Sequence, residues 1–225
     1  MEAPKITTGG RERVNPTSAL YKDAFQHDPV VTYLLNNFSV SARQAYLLTY
    51  FQRLLGAAGL NAAEFLEADD WASAAVIMPP GSRVDNLWTL IPAGLIGMVY
   101  QVGLRGSYRM LGEYVPLADS MKAKGLRGWK RYYYVFYVAT KEEERGRGLS
   151  SALLRQVQDG ARREGLPVWL EATTVGSMRL YASLGFETVG QVTLGEGIAS
   201  ADGTQKKGGE GVPVWGMVWW PKQEP

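Results

Sequence analysis

Apolar residues recur every four positions at Leu149, Leu153, Val157 and Ala161, while Arg155, Gln158, Arg162 and Arg163 fall between them. This spacing predicts an amphipathic helix over 149–164, stopped at Gly165. Residues 41–58 show the same periodicity, with Leu47, Phe51, Leu54 and Leu55 on one side, Ser41 as a candidate cap and Gly59 as the stop. A shorter stripe of Ala19, Leu20, Ala24 and Phe25 follows Pro16, is interrupted by Asp28-Pro29, and resumes over 30–35. Two strand-like runs, 63–67 and 72–78, flank Asp69-Asp70 and read as a hairpin, which Pro79-Pro80-Gly81 ends. Residues 132–139 are nearly all aromatic or β-branched, which predicts a strand covered on both faces. Residues 167–172, 186–194 and 212–220 read as further strands, with a short helix over 177–184 ended by Gly185.

The C-terminal half therefore runs strand, helix, strand, helix, strand, strand. Parallel neighbours need helical crossovers, and the last two strands can pair antiparallel. The expected class is α/β, with one mixed sheet and helices on both faces. Residues 1–15 are polar and read as a flexible lead, and 16–225 as one domain. Within that domain, 85–125 is mostly helical, broken at Pro92 and near 103–106, and reads as an added helical insert. Residues 195–211 are rich in Gly, contain lysines, and read as a mobile loop.

Composition narrows the chemistry. With 46% hydrophobic and 20% charged residues, the 225-residue chain reads as globular. A net charge of +2 gives no reason to expect a nucleic-acid partner. The absence of Cys excludes disulfides, thiolate zinc sites and a cysteinyl intermediate. His27 is the only His, so a zinc site of several His is excluded and no metal is expected. The first fifteen residues have no apolar core of the signal-peptide kind. The longest apolar stretch, 87–104, is interrupted by Thr89, Pro92, Gly94, Gly97 and Gln101, whereas a spanning helix wants about 20 apolar residues. A cytoplasmic protein with no membrane partner is expected.

One segment carries candidate chemistry. Arg145-Gly146-Arg147-Gly148-Leu149-Ser150 lies between the aromatic strand and the amphipathic helix. The first amides of a helix lack internal partners, and the helix dipole adds positive potential there. Gly146 and Gly148 let the backbone approach an anion, Arg145 and Arg147 add charge, and Ser150 and Ser151 add hydroxyls. An ordinary Gly-containing turn with solvated arginines has the same local pattern. The segment lacks the ending of a Walker loop and does not complete G-x-G-x-x-G.

Arg145-x-x-Gly148-x-Ser150 resembles the acyl-CoA pyrophosphate loop of the GNAT superfamily, R/Q-x-x-G-x-G/A, with Ser in the last place. Leu180-Tyr181-Ala182-Ser183-Leu184-Gly185-Phe186 resembles that family's second signature. Leu170-Glu171-Ala172-Thr173 is similar to its puromycin-acetyltransferase-like branch, as more weakly are Ala24-Phe25-x-x-Asp28-Pro29 and Met78-Pro79-Pro80-Gly81. The resemblance covers 132–190 best. It implies a mostly antiparallel central sheet with one parallel pair and helices on both faces. It implies acetyl-CoA as co-substrate and a small-molecule amine acceptor, such as a xenobiotic, antibiotic or secondary metabolite. Transfer would be direct, in a ternary complex.

The resemblance also implies roles. Backbone amides of Arg145, Gly146, Arg147, Gly148, Leu149 and Ser150 would hold the pyrophosphate. Val138, Ala139 and Thr140 would pair with the pantetheine arm as an added strand would. Ser177 stands where the family usually has Asn. Tyr181 would bind near the thiol end and protonate the departing thiolate, since a free phenol titrates near 10 and a thiol near 8.5. Glu171 is a candidate base for the ammonium, or equally a strand-end carboxylate paired with an Arg. Asp119 and Glu113 are weaker candidates, and His27 reads as a surface residue. Among Tyr132, Tyr133, Tyr134, Phe136 and Tyr137, one face should pack and one or two rings should reach the acceptor. A non-catalytic acyl-CoA sensor, a protein or peptide acceptor, and an interaction module using the insert are the alternatives. A homodimer is left open.

Overall fold

In a computed structural model, which describes residues 3–83, 92 and 94–222, the chain opens on strand β1 (Ile6–Gly9). This corrects the expectation of a flexible lead over 1–15. The segment has no apolar stripe because main-chain pairing holds it, Ile6 opposite Ala68 through Gly9 opposite Phe65. Polar contacts add to the pairing: the Thr7 hydroxyl donates to Glu67 at 2.5 Å and the Arg13 guanidinium to the Thr7 carbonyl at 2.9 Å.

Three helices follow: α1 (Val14–Ala24), α2 (Pro29–Leu34) and α3 (Val40–Leu60). Asp28-Pro29, read as an interruption, also starts a helix. The Asp28 carboxylate accepts from Val31 N at 2.9 Å, and Pro29 sits where its missing N–H costs nothing. The cap of α3 is Ser39, not Ser41, and accepts from Ala42 N at 3.2 Å. The expected hairpin forms between β2 (Glu64–Ala68) and β3 (Ser73–Met78).

Residues 85–91 and 93 of the expected insert lie outside the described residues. Beyond them, α4 (Leu95–Ser107) is broken at Gly103, whose φ is 66°. A wide π-helical stretch, Tyr108–Tyr114, then leads into α5 (Val115–Gly125). The rest is β4 (Tyr133–Thr140), α6 (Leu149–Glu164), β5 (Val168–Ala172), α7 (Val175–Ser183), β6 (Glu187–Leu194) and β7 (Val212–Trp219).

Among the described residues, seven strands join one sheet in the order β1-β2-β3-β4-β5-β7-β6, and only β4 and β5 run parallel. The expected mixed, mostly antiparallel α/β architecture is therefore present. Leu149, Leu153, Leu154, Val157 and Ala161 of α6 pack with Tyr181 of α7 in one core, against Leu66, Ala75, Ile77, Val135 and Leu170. The other face packs against α1, α2, α3 and α5, around Tyr21, Phe51, Leu55 and Trp169. Gln158, expected outside, is buried because its amide donates to the Leu184 carbonyl at the end of α7 (2.9 Å).

Two departures from regular pairing shape the centre of the sheet. Val76 opposes Tyr137 while Ile77 opposes Val135, so Phe136 is an extra residue in β4. Such a bulge bends its strand and increases the twist. Then β4 meets β5 only at Tyr133–Val168 and Tyr134–Trp169, whereas β5 pairs with β7 along its whole length. Beyond Tyr134 the two central strands part. As expected, β4 packs on both faces, Val135 and Val138 toward one core and Phe136 and Tyr137 toward the other, but only Val135 is fully buried, because the strand borders the gap from Tyr134 onward.

The stretch 195–211, expected to be mobile, folds on itself. Gly197 N donates to Gly209 O and Gly208 N to Gly197 O, both at 2.8 Å, and Gly211 N reaches Ala199 O at 2.8 Å. It is tied to the end of α2 by Asn36 donating to Gly203 O at 3.1 Å and Gln205 donating to Asn36 O at 2.6 Å. Among the described residues, no helix is long and apolar enough to cross a membrane.

Candidate active site at the parted strands

The gap between β4 and β5 opens into a groove of about 730 Å³. One wall is β4, through Val138, Ala139 and Thr140, whose edge toward β5 is unpaired. The next is the turn before α6, through Arg145, Gly146, Gly148, Leu149 and Ser150. Opposite them, α7 contributes Ser177, Leu180 and Tyr181. Residues named from two separate sequence motifs thus border one cavity.

The turn has the geometry an anion needs. The first bond of the α6 ladder runs from Ala152 N to Gly148 O at 2.9 Å, so the earlier amides have no partner within the helix. Gly146 and Gly148 have φ of 82° and 78°, and a Cβ added at either would meet nothing within 4 Å. Bare backbone therefore faces open space at the positive end of a sixteen-residue helix, a fit for a diphosphate. Arg145 borders the groove. Arg147 does not: its guanidinium pairs with Asp69 at 2.7 Å and with Glu144. The charge expected from Arg147 is thereby neutralised.

Two expected hydroxyl contacts are also redirected. Ser150 Oγ lies 2.6 Å from Thr140 Oγ1, which is 2.9 Å from Ser73 Oγ, so these three tie the start of α6 to β4 and β3. Ser177 shares a capping box with Thr174, their side-chain oxygens 2.9 Å apart, and its hydroxyl satisfies the start of α7.

Tyr181 is 7% exposed and borders both the groove and a smaller inner pocket of about 80 Å³. Burial, and then the negative charge of Asp28, push its phenol above the ordinary value, so it holds its proton. Phe25, Asp28, Val138 and Thr173 also border both cavities, which are therefore adjacent.

The inner pocket is aromatic, apolar and doubly acidic. Tyr134, Phe136 and Tyr137 all reach it, three rings where one or two were expected. The bulge explains the excess, since it brings Phe136 and Tyr137 toward the same side, ring centroids 4.7 Å apart. Tyr133 points elsewhere, its hydroxyl donating to Glu164 at 2.5 Å. Val30, Val31 and Leu34 of α2 and Tyr114 of the insert complete the wall.

Asp28 is the functional candidate that sequence reasoning missed. Its carboxylate caps α2 and accepts from the Thr173 hydroxyl at 2.6 Å. Burial nonetheless raises its pKa. The available signal was the Asp-Pro pair itself, since a capping Asp is a carboxylate fixed in space. Glu171 lies in the inner pocket and not in the groove. Its partners are the Trp169 indole, donating at 2.6 Å, the Tyr134 phenol and the charge of Lys122, and not the Arg of the alternative reading. Burial raises its pKa as well.

The weaker candidates fall away. Glu113 accepts from the Tyr33 hydroxyl and from Gly195 N, at 2.5 and 2.8 Å. Asp119 pairs with Lys122 at 3.3 Å. His27 is exposed at the rim of the groove. Among the described residues, no group of three His, Asp or Glu is arranged to hold a metal.

Comparisons with known proteins agree with this geometry. The model of the acetyltransferase (GNAT) family matches residues 95–186, which span the turn and Tyr181. An uncharacterised N-acetyltransferase of Schizosaccharomyces pombe is 26% identical over 170 residues, 75% of this chain and 68% of its own length. A Corynebacterium glutamicum structure described as histone acetyltransferase HPA2 and related acetyltransferase superposes with a TM-score of 0.61 at 19% identity, covering 99% of each chain. The Drosophila melanogaster polyamine N-acetyltransferase, which forms N-acetylagmatine, superposes with a TM-score of 0.59 at 16% identity, over 96% of this chain and all 100% of that one.

Proposed function

Because this chain belongs to the GNAT family of acetyltransferases, we propose that it moves an acetyl group from acetyl-CoA to a small amine, directly, in a ternary complex. The observation that carries this reading is that Tyr181 and Asp28 border both cavities. The groove offers helix-start amides to a diphosphate and an unpaired strand edge to an amide-bearing arm. The inner pocket offers aromatic faces and carboxylates to a cation.

The roles follow from position. The amine arrives as an ammonium beside Asp28, which takes one proton and frees the lone pair. Its nitrogen then bonds to the thioester carbonyl carbon, the C–S bond breaks, and Tyr181 gives its proton to the sulfur. The second nitrogen proton restores the phenol, and the proton on Asp28 leaves to water. Asp28 and Tyr181 are coupled: while Asp28 is charged it holds the phenol proton, and neutralising Asp28 loosens it. Glu171, set apart from the groove and held by Trp169, balances the charge of the bound cation and is the second candidate base.

A thiol-release assay with acetyl-CoA and a panel of 2-phenylethylamine, 1,4-diaminobutane and a lysine-containing tetrapeptide tests the reading. Turnover of either small amine above the tetrapeptide is expected. Acetyl-CoA binding with no turnover of any amine would leave only the acyl-CoA sensor.

A further inference from the structure

The shortest α-helix among the described residues forms a wall of the inner pocket. α2 has six residues, and isolated helices below about 12 residues are marginal in water. Its placement must come from tertiary contacts. Val30, Val31 and Leu34 face the pocket, and Asp28 caps its start. Tyr33 is wholly buried and does not border the pocket; its hydroxyl donates to Glu113 at 2.5 Å. Glu113 belongs to the π-helical stretch of the insert. Its other oxygen accepts from Gly195 N at 2.8 Å, where the loop after β6 begins. The Arg109 guanidinium lies 5.3 Å from the centre of the Tyr33 ring. Gly195 itself is pressed on that ring: an added Cβ would sit 2.4 Å from Tyr33 Cε2.

One carboxylate therefore joins three separate segments: α2, the insert and the loop after β6. We propose that Glu113 is a positioning residue for the acceptor, which through Tyr33 sets where α2 places the pocket wall and Asp28. This rests on the reading of the inner pocket as the acceptor site. The observation specific to Glu113 is that it touches neither cavity, yet binds a helix, Pro29–Leu34, that lines the acceptor end and makes no wall of the pyrophosphate end. Its loss should therefore be felt by the amine and not by acetyl-CoA.

The test compares Glu113→Ala, Glu113→Gln and Tyr33→Phe, using whichever panel amine the wild type turns over. In Glu113→Ala and Tyr33→Phe the KM for the amine should rise about tenfold, the size expected when one charge-assisted hydrogen bond is lost. The Kd for acetyl-CoA should stay within about twofold, which also reports that the fold is intact. Glu113→Gln keeps an oxygen acceptor and should recover most of the loss. The double variant Glu113→Ala/Tyr33→Phe should be no worse than either single one, because both break one link. An unchanged amine KM in Glu113→Ala, or equal weakening of both substrates, would overturn the proposal. Failure of the wild type to turn over any panel amine would instead overturn the functional reading on which it rests.

Discussion

The Thr173 hydroxyl donates to the Asp28 carboxylate at 2.6 Å, joining the end of β5 to the start of α2 across 145 positions of sequence. That bond fixes a half-buried acid where the two cavities adjoin. It is where the acetyl-transfer reading is most exposed to test.

Asp28→Asn should lower kcat/KM for the amine by about 10²-fold, the lower end of a positioned base's contribution. It should also raise stability. Burial raises the pKa of Asp28 in the folded chain, so its ionised form costs stability above the unfolded value of 3.8 and costs nothing below it. Asn caps a helix as well as Asp and removes that cost. The variant should melt above the wild type at pH 7, with the difference closing as pH falls to about 4. A less stable variant at pH 7 would contradict the burial argument. Glu171→Gln, measured beside it, should lose less activity; a larger loss would make Glu171 the base.

Tyr181→Phe keeps the ring that packs 6.1 Å from Phe186 and removes only the hydroxyl. The expected result is a fall in kcat of about 10²-fold with little change in acetyl-CoA affinity. Single-turnover thiol release separates the chemical step from product release. Full activity in this variant would remove Tyr181 from the mechanism.

Gly148 needs a φ of 78°, and its α-carbon faces the open groove. Gly148→Val places a branched side chain where the diphosphate would approach and forces a left-handed conformation that costs about 1–2 kcal/mol. Acetyl-CoA should then raise the melting temperature far less than it raises that of the wild type, by thermal shift at matched ligand. An undiminished shift would show that the diphosphate lies elsewhere.

Asp202 is a stability probe that borders neither cavity. It accepts from the Ser200 hydroxyl at 2.6 Å and from Thr204 N at 2.9 Å, which hold its carboxyl down to about 2. A depressed folded value gives stability that is complete above the unfolded value of 3.8 and is lost as pH falls through about 2. Asp202→Ala should therefore melt below the wild type at pH 7, and the gap should shrink between about pH 4 and pH 2. The residue is exposed, so screening by water keeps the effect small. A gap that does not depend on pH would point to the loop backbone instead of the charge.

What the sequence settled by itself was local and repetitive. The four-residue spacing from Leu149 to Ala161 specified α6 from Leu149 to Glu164, because burying one stripe of a helix needs only that period. The glycines of the turn and Leu180-Tyr181 of the second motif marked two groove walls; at the glycines, positive φ and close approach leave few residue types to choose from. Tertiary structure decided the rest. Main-chain pairing of β1 with an edge strand needs no side-chain pattern, so a polar lead concealed it. The extra residue at Phe136 became visible only through its partner strand, and it turned a strand that reads as core into one wall of a gap. Arg147, Ser150 and Ser177 kept their places in the chain but gave their side chains to Asp69, Thr140 and Thr174. Asp28 acquired its position from Thr173 and its burial from the sheet. Charge and hydrogen-bond partners across such distances follow from packing, and no spacing along the chain encodes them.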